Sequence, residues 1–229
     1  MQHAPHFNEH GYVLLENALP GGVVAPLRRH ILDELKRLDI WASGRWRSRQ
    51  LRAMPVFQQV GQLGQRVICP DLQARMTTPS LLTTLEALAG QRLRAAGDAQ
   101  LLLTLPGAPT QHPTMLNWHL DINPAAKVGV PGVQVFLLID DVLPQGGATL
   151  ALAGSHRLPA DRALRHRLHA RLNAGAPSSF TLEGIPLSRV EMCGKAGDVY
   201  LMDMRVLHSP SHNTRKTPRM MATARFLAA

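Results

Sequence analysis

Thr114-Met115-Leu116-Asn117-Trp118-His119-Leu120-Asp121 is the stretch on which the reading of this chain turns. Its apolar residues read as a β-strand from Met115 to Asp121. A strand sends successive side chains to opposite faces, so His119 and Asp121 project together and Leu120 turns away. An imidazole beside a carboxylate supplies two of the three ligands of a facial triad. That triad, two histidines and one carboxylate with open positions left over, is the usual site of non-haem Fe(II) oxygenases. A lone His-x-Asp is also ordinary in a solvated strand, so the metal reading needs a third ligand and a group that holds a substrate.

The surroundings decide the fold. Strand-like runs recur at Leu101 to Leu105, Val133 to Val142, Thr149 to Ala153, Val190 to Cys193, Val199 to Met202 and Met220 to Phe226. Turn signals separate them: Pro106-Gly107, Pro124, Pro131-Gly132, Gly146-Gly147, Gly154-Ser155, Gly194 and Gly197-Asp198. Many short strands at regular spacing predict a sandwich or barrel. Upstream lie a polar turn from Phe7, a strand at Tyr12 to Leu15 and an amphipathic helix at Val23 to Leu38. Residues 42–78 read as loop with short helical pieces, and Pro79 opens a helix that Gly90 stops. Residues 1–229 thus form one domain, with 1–95 flanking a barrel core of about 96–227. Pro159 to Asn173 interrupts the strands as an inserted helix, part of a lid over about 157–180. Its Leu164, Leu168 and Leu172 make one apolar stripe, and Arg162, Arg165 and Arg167 lie on the remaining surface.

Composition narrows the class. The 229 residues are 45% hydrophobic, ample for a core, and no apolar run approaches the roughly eighteen residues of a membrane span. The first residues lack the basic-then-apolar pattern of an export signal. Cys69 and Cys193 are then expected as reduced thiols, and the chain as cytoplasmic. The net charge of +9 suits a nucleic acid or an anionic substrate. A solvated arginine-rich surface explains it equally, because the charges are dispersed and no nucleic-acid motif is present.

The third ligand candidate is His208, which follows the run Gly197 to Asp203 and opens a polar loop, His208-Ser209-Pro210-Ser211-His212-Asn213. Arg219, after Pro218, opens the last strand. An arginine fixed near an iron site can grip the far carboxylate of a dicarboxylate.

With these residues in place the chain resembles the phytanoyl-CoA dioxygenase family of Fe(II)- and 2-oxoglutarate-dependent oxygenases. The matching features run nearly end to end: Phe7-x-x-x-Gly11-Tyr12-Val13, His119-x-Asp121, and Asp140-Asp141-Val142 with Gly146-Gly147-Ala148-Thr149. They continue through Gly154-Ser155-His156 and Gly197-Asp198-Val199 to His208, Asn213, Pro218 and Arg219. The resemblance implies a double-stranded β-helix, mainly β and jelly-roll or cupin-like, with flanking helices. It implies His119, Asp121 and His208 as iron ligands and Arg219 as the 2-oxoglutarate arginine. Phe136 and Leu101 fall where the family contacts the cosubstrate. The family's hydroxyl after the second histidine has no exact match, leaving Ser209 or Ser211, with Ser211 the expected cosubstrate contact. Gln62 or Arg66 falls where some members use a lysine.

The implied cofactors are Fe(II), 2-oxoglutarate and O2, and the implied reaction is oxidation of a small-molecule C–H with release of succinate and CO2. Asp121 favours hydroxylation over halogenation, since related halogenases lack that carboxylate. Two other readings stand beside this one: a nucleic-acid demethylating dioxygenase, and an inactive metal-binding barrel serving as a binding module. No nucleic-acid or membrane partner is expected; the substrate is expected to be a small molecule, and an anionic one would suit the charge. Asp203 is the runner-up carboxylate, without a histidine two residues away. His112 and His212 read as exposed loop residues, His156 as structural, and His166 and His169 as solvated.

Overall fold

The computed structural model describes residues 3–107, 116–122 and 129–229. The chain begins with α1 (Ala4–His10), β1 (Tyr12–Leu15) and α2 (Gly21–Arg37). A small hairpin follows, β2 (Trp41–Ala42) and β3 (Arg45–Trp46). Then come α3 (Arg49–Arg52), α4 (Val56–Arg66), α5 (Leu72–Arg75) and α6 (Pro79–Ala89). The core strands are β4 (Leu93–Ala95), β5 (Gln100–Thr104), β6 (Gly132–Leu138) and β7 (Thr149–Ala153). After a single 3-10 turn at Ser155–Arg157, α7 (Arg162–Asn173) leads into β8 (Ser179–Leu182) and β9 (Ile185–Glu191). The chain closes with β10 (Val199–Asp203), β11 (His208–Pro210) and β12 (Arg219–Ala228).

These strands build two antiparallel sheets. The larger runs β1-β10-β6-β12-β4, with β5 also on β12; the smaller runs β11-β7-β9-β8. The arrangement is the jelly-roll expected from the sequence, with the sheets facing each other rather than closing into a barrel. Strand parity sorts the core. On β6, Val133, Val135 and Leu137 face outward to the helices, with Ile31, Leu35, Leu63 and Leu85 in the same cluster. Phe136 and Leu138 face inward with Tyr200, Met202 and Met221, opposite Ala151 and Met192 of the smaller sheet. Because β6 is buried on both faces, its sequence is apolar apart from Gln134, where a half-exposed strand would alternate.

α1 replaces the polar turn expected at Phe7. Its C-cap is Gly11, whose φ of 80° is left-handed. A Cβ there would also come within 2.5 Å of His156 Nδ1 and of Val206. Gly11 and His156, from two separate family motifs, are therefore one packing contact. α4 lies in the stretch read as loop. It rests directly on β5, where a side chain at Gly64 would strike the Leu101 carbonyl. The expected lid range runs into a hairpin only at Ser179 and Phe180, the first residues of β8; the β8–β9 hairpin is turned by Glu183-Gly184 with φ of 49° and 74°. Two positive φ values in a two-residue loop fit the strand-matched type I′ turn.

α7 does not lie over the mouth. Leu164, Leu168 and Leu172 are buried, and the last two pack with Leu150, Leu152, Leu187 and Leu207 on the outer face of the smaller sheet. His169 is half-buried rather than solvated, and its Nε2 has no partner. Cys69 and Cys193 are both free thiols. Among the described residues, no helix is long and apolar enough to cross a membrane.

Candidate metal and cosubstrate site

Thr114, Met115, His112 and Pro124 lie outside the described residues, so the start of the expected strand is not traced. What is traced is not a regular strand: His119 forms an isolated antiparallel bridge with His208. The two exchange both main-chain hydrogen bonds, His119 N to His208 O at 2.9 Å and His208 N to His119 O at 3.1 Å. His208 in turn pairs with Ala151 of β7. The His-x-Asp segment is thereby added to the edge of the smaller sheet. The expected alternation survives this shortening. His119 and Asp121 line one cavity, of about 210 Å³, while Leu120 lines another on the opposite side.

His119, Asp121 and His208 offer ligand atoms that all lie within 4.8 Å of one another. That is about twice a metal–nitrogen or metal–oxygen bond of roughly 2.1 Å, the scale of one coordination sphere. His119 Nε2 is 3.8 Å from Asp121 Oδ1, and His208 Nε2 is 3.9 Å from Asp121 Oδ2. The tautomers suit a cation. His119 Nδ1 lies 2.8 Å from Asn117 O, and His208 Nδ1 lies 3.1 Å from Val206 O. A carbonyl can only accept, so each Nδ1 carries the hydrogen and each Nε2 presents a lone pair to the centre.

Burial pulls the His208 pKa down to about 4, so its ring is neutral at ordinary pH. For Asp121, burial alone would raise the pKa. The neighbouring His208 and Arg225 and a hydrogen bond from Arg225 outweigh it, and the carboxyl is held below its ordinary value. The neutral His208 ring, the Nε2 of His119 and an ionised carboxylate make the donor set of a divalent metal, and these residues fit one.

Arg219 lines the same cavity and is 2% exposed. Its Nε donates to Gly147 O and its Nη1 to Leu102 O, both at 2.6 Å. These two carbonyls fix the plane of the guanidinium. Burial lowers its pKa to about 9, which leaves it charged at neutral pH. Gly147 has a left-handed φ of 83°, and a Cβ there would press on Asn213 and Thr104. Asn213 donates to Thr104 O and Thr217 O, pinning the loop between His208 and Arg219. Two glycine- and asparagine-bearing motifs thus serve to aim one arginine.

The remaining expected contacts divide. Phe136 lines the cavity, its ring 6.0 Å from that of His208. Leu101 does not: it is opposite Ala222 and faces the helices, while Leu102, opposite Met221, faces the site. Ser211 is turned away, its hydroxyl bonded to Ala148 O at 2.6 Å, and Ser209 bonds to Pro210 O. Pro210 itself lines the cavity where the hydroxyl was expected. Gln62 and Arg66 bond to each other on the exposed side of α4. The cavity is reached instead by Phe57, Val60 and Gly61 of that helix. Asp203 is held by Arg205, with Nη2 to Oδ2 at 2.6 Å, and is no ligand. His156 Nε2 meets Asn8 O at 3.1 Å, a structural role.

Thr223, Arg225 and Gln134 complete the wall; of these the sequence offers only Arg225, as an alternative to Arg219 for holding the cosubstrate. The signal was available, because Thr223 and Arg225 follow Arg219 at even spacing on β12. Gln134 is opposite Arg225 on β6. A larger cavity, about 530 Å³, lies beyond Leu120 between α1 and α7. It contains none of His119, Asp121 and His208, and Arg165 faces it rather than their cavity.

Comparison with known proteins agrees with this geometry. The family model described as Phytanoyl-CoA dioxygenase (PhyH) matches residues 7–221. The non-haem α-ketoglutarate-dependent carbocyclase SnoK from nogalamycin biosynthesis is similar in structure, with TM-score 0.66 and 19% identity over 100% of this chain and 83% of that one. The epimerase SnoN, in complex with Fe3+, α-ketoglutarate and nogalamycin RO, gives TM-score 0.60 and 20% identity over 100% and 83%. EvdO2 from Micromonospora carbonacea var. aurantiaca, complexed with 2-oxoglutarate, gives 0.60 and 18% over 100% and 90%. No curated protein matches the chain. On the match over residues 7–221, the chain belongs to the phytanoyl-CoA dioxygenase family of Fe(II)- and 2-oxoglutarate-dependent oxygenases.

Proposed function

We propose that this protein oxidises a C–H bond of a small molecule, using His119, Asp121 and His208 to hold Fe(II) and Arg219 to hold 2-oxoglutarate. The carrying observation is the convergence of two imidazole Nε2 atoms, one ionised carboxylate and one fixed guanidinium on a single cavity. Iron, 2-oxoglutarate and O2 together supply the oxidising power, with succinate and CO2 as by-products.

The chain's own residues do the rest. His119, Asp121 and His208 would hold the metal through three protein atoms only, too few to fill its coordination, so that cosubstrate and O2 could bind there. Arg219 takes the far carboxylate of the cosubstrate. Phe136 and Leu102 supply dry walls, which strengthens these charge contacts by lowering the local dielectric. The cavity volume of about 210 Å³ is below the 300–1,000 Å³ usual for drug-sized ligands. It suits the cosubstrate, so the substrate is met at its open side. Hydroxylation is the outcome favoured by Asp121, which fills the place a halide would need. That SnoN is complexed with nogalamycin RO supports a small organic substrate here. Solution in the cytoplasm goes with this reading, as does a surface role for the +9 charge.

The test is succinate release by the Fe(II)-loaded protein across a panel of small molecules. Stimulation by one compound identifies the substrate. No succinate under any condition would favour an inactive metal-binding module. A demethylase acting on nucleic acid would instead bind DNA with affinity falling steeply as salt rises.

A further inference from the structure

Asp121 has a partner that the triad does not require. Arg225 Nε donates to Asp121 Oδ2 at 2.9 Å. Arg225 leaves β12 on the same face as Arg219, and its Nη1 is steadied by Gln100 Oε1 at 3.3 Å. Gln100 lies on β5, the other neighbour of β12 at this point. The arginine is therefore held between two strands and aimed at one carboxylate oxygen. Oδ1, the atom nearer His119, has no hydrogen-bond donor among the described residues.

We propose that Arg225 is a positioning residue for the metal carboxylate: by occupying Oδ2 it presents Oδ1 alone to the metal. The inference rests on the triad reading above. A carboxylate free to rotate can chelate through both oxygens. Doing so would take one of the positions that a bidentate cosubstrate and O2 need. A donor fixed on Oδ2 prevents this and sets the carboxylate plane, as outer partners of metal ligands commonly do.

Two effects of Arg225 on metal affinity have opposite signs. Its positive charge repels a cation nearby, so as a mere charge its removal would tighten binding. As a positioning group its removal would loosen binding. The experiment is an anaerobic Co(II) titration of the wild-type chain, Arg225→Ala, Arg225→Lys and Gln100→Ala, read by the visible ligand-field bands. We expect the Co(II) Kd of Arg225→Ala to rise by about ten- to a hundredfold, with altered bands. Millimolar methylguanidinium should restore part of the affinity, and Gln100→Ala should show a smaller loss. Arg225→Lys, which keeps the charge without the planar donor, should also bind more weakly and keeps the test valid if the alanine variant fails to fold. Unchanged or tighter binding with unchanged bands in the folded variants would overturn the proposal. So would wild-type Co(II) affinity together with lost substrate-stimulated turnover, which would make Arg225 a substrate contact. A wild-type chain that takes up no Co(II) would overturn the triad itself, and this proposal with it.

Discussion

His119 and His208 are joined through their main chains, by a pair of hydrogen bonds of 2.9 and 3.1 Å, and their rings lie with centroids 4.3 Å apart, tilted by 50° to each other. The separation of the two imidazoles is thus set by a β-bridge between segments far apart in sequence. Anything that shifts the chain entering His208 should shift the metal position.

Ser155 is such a point. Its buried hydroxyl accepts from Leu207 N at 2.9 Å, immediately before His208. Ser155→Ala leaves that N–H without a partner, at a cost of about 1–3 kcal/mol. Urea unfolding should show this loss with an unchanged slope, and metal affinity should weaken in parallel. Wild-type stability and metal affinity together would detach the Gly-Ser-His turn from the site.

Arg219→Lys keeps the charge but loses the planar fork held by Gly147 O and Leu102 O. One charge-assisted hydrogen bond is worth roughly 1.5–3 kcal/mol, so the 2-oxoglutarate KM should rise about ten- to a hundredfold with metal binding intact. An unchanged KM would pass the clamp to Arg225, which shares the cavity. Arg215 is not available for it, since it is bonded to Pro144 O and outside the lining.

The pH response of the metal-free protein follows from His208. Its folded pKa is about 4 against an ordinary 6.5. Between these values the unfolded chain binds more protons than the folded one, so stability falls as pH drops from 6.5 and levels off below 4. The difference amounts to on the order of 3 kcal/mol. Denaturation curves from pH 7 to 4 should show this fall, reduced in His208→Gln. A fall of the same size in that variant would place its origin elsewhere.

α7 should behave as a cover. Leu168→Ala, at a buried position against the smaller sheet, should cost about 2–5 kcal/mol. Arg162→Ala, Arg165→Ala and Arg167→Ala should leave the substrate KM unchanged, because none of them reaches the metal cavity. A raised KM in any of the three would restore a substrate role to the helix.

The sequence made the ligands and Arg219 legible because they sit in short motifs with characteristic neighbours, and the structure gathers those residues into one cavity. Strand parity carried the opposite directions of His119 and Leu120. Leu101 rested on the resemblance alone, which picks out the strand but not its face, and one step on a strand reverses the face: Leu102 lines the cavity. Ser211 was misplaced because loop side chains have no period to read. α4 shows in the sequence only as one of the short helical pieces, without limits, because its buried positions are few: Gln59 and Leu63 alone are buried, and Gly61 and Gly64 weaken its helical pattern. Arg225 follows the same alternation as Arg219, yet its tie to Asp121 joins the last strand to the His-x-Asp segment, and no local pattern encodes such a contact.

The most direct measurement is an anaerobic titration of the protein with Fe(II) and 2-oxoglutarate, followed by visible absorbance. Chelation of the keto acid by the held metal gives a charge-transfer band that requires both components. The account predicts one Fe(II) per chain, a band that saturates with 2-oxoglutarate, its loss in His208→Ala, and weaker 2-oxoglutarate dependence in Arg219→Lys. A chain that binds no Fe(II), or a full band in His208→Ala, would contradict it.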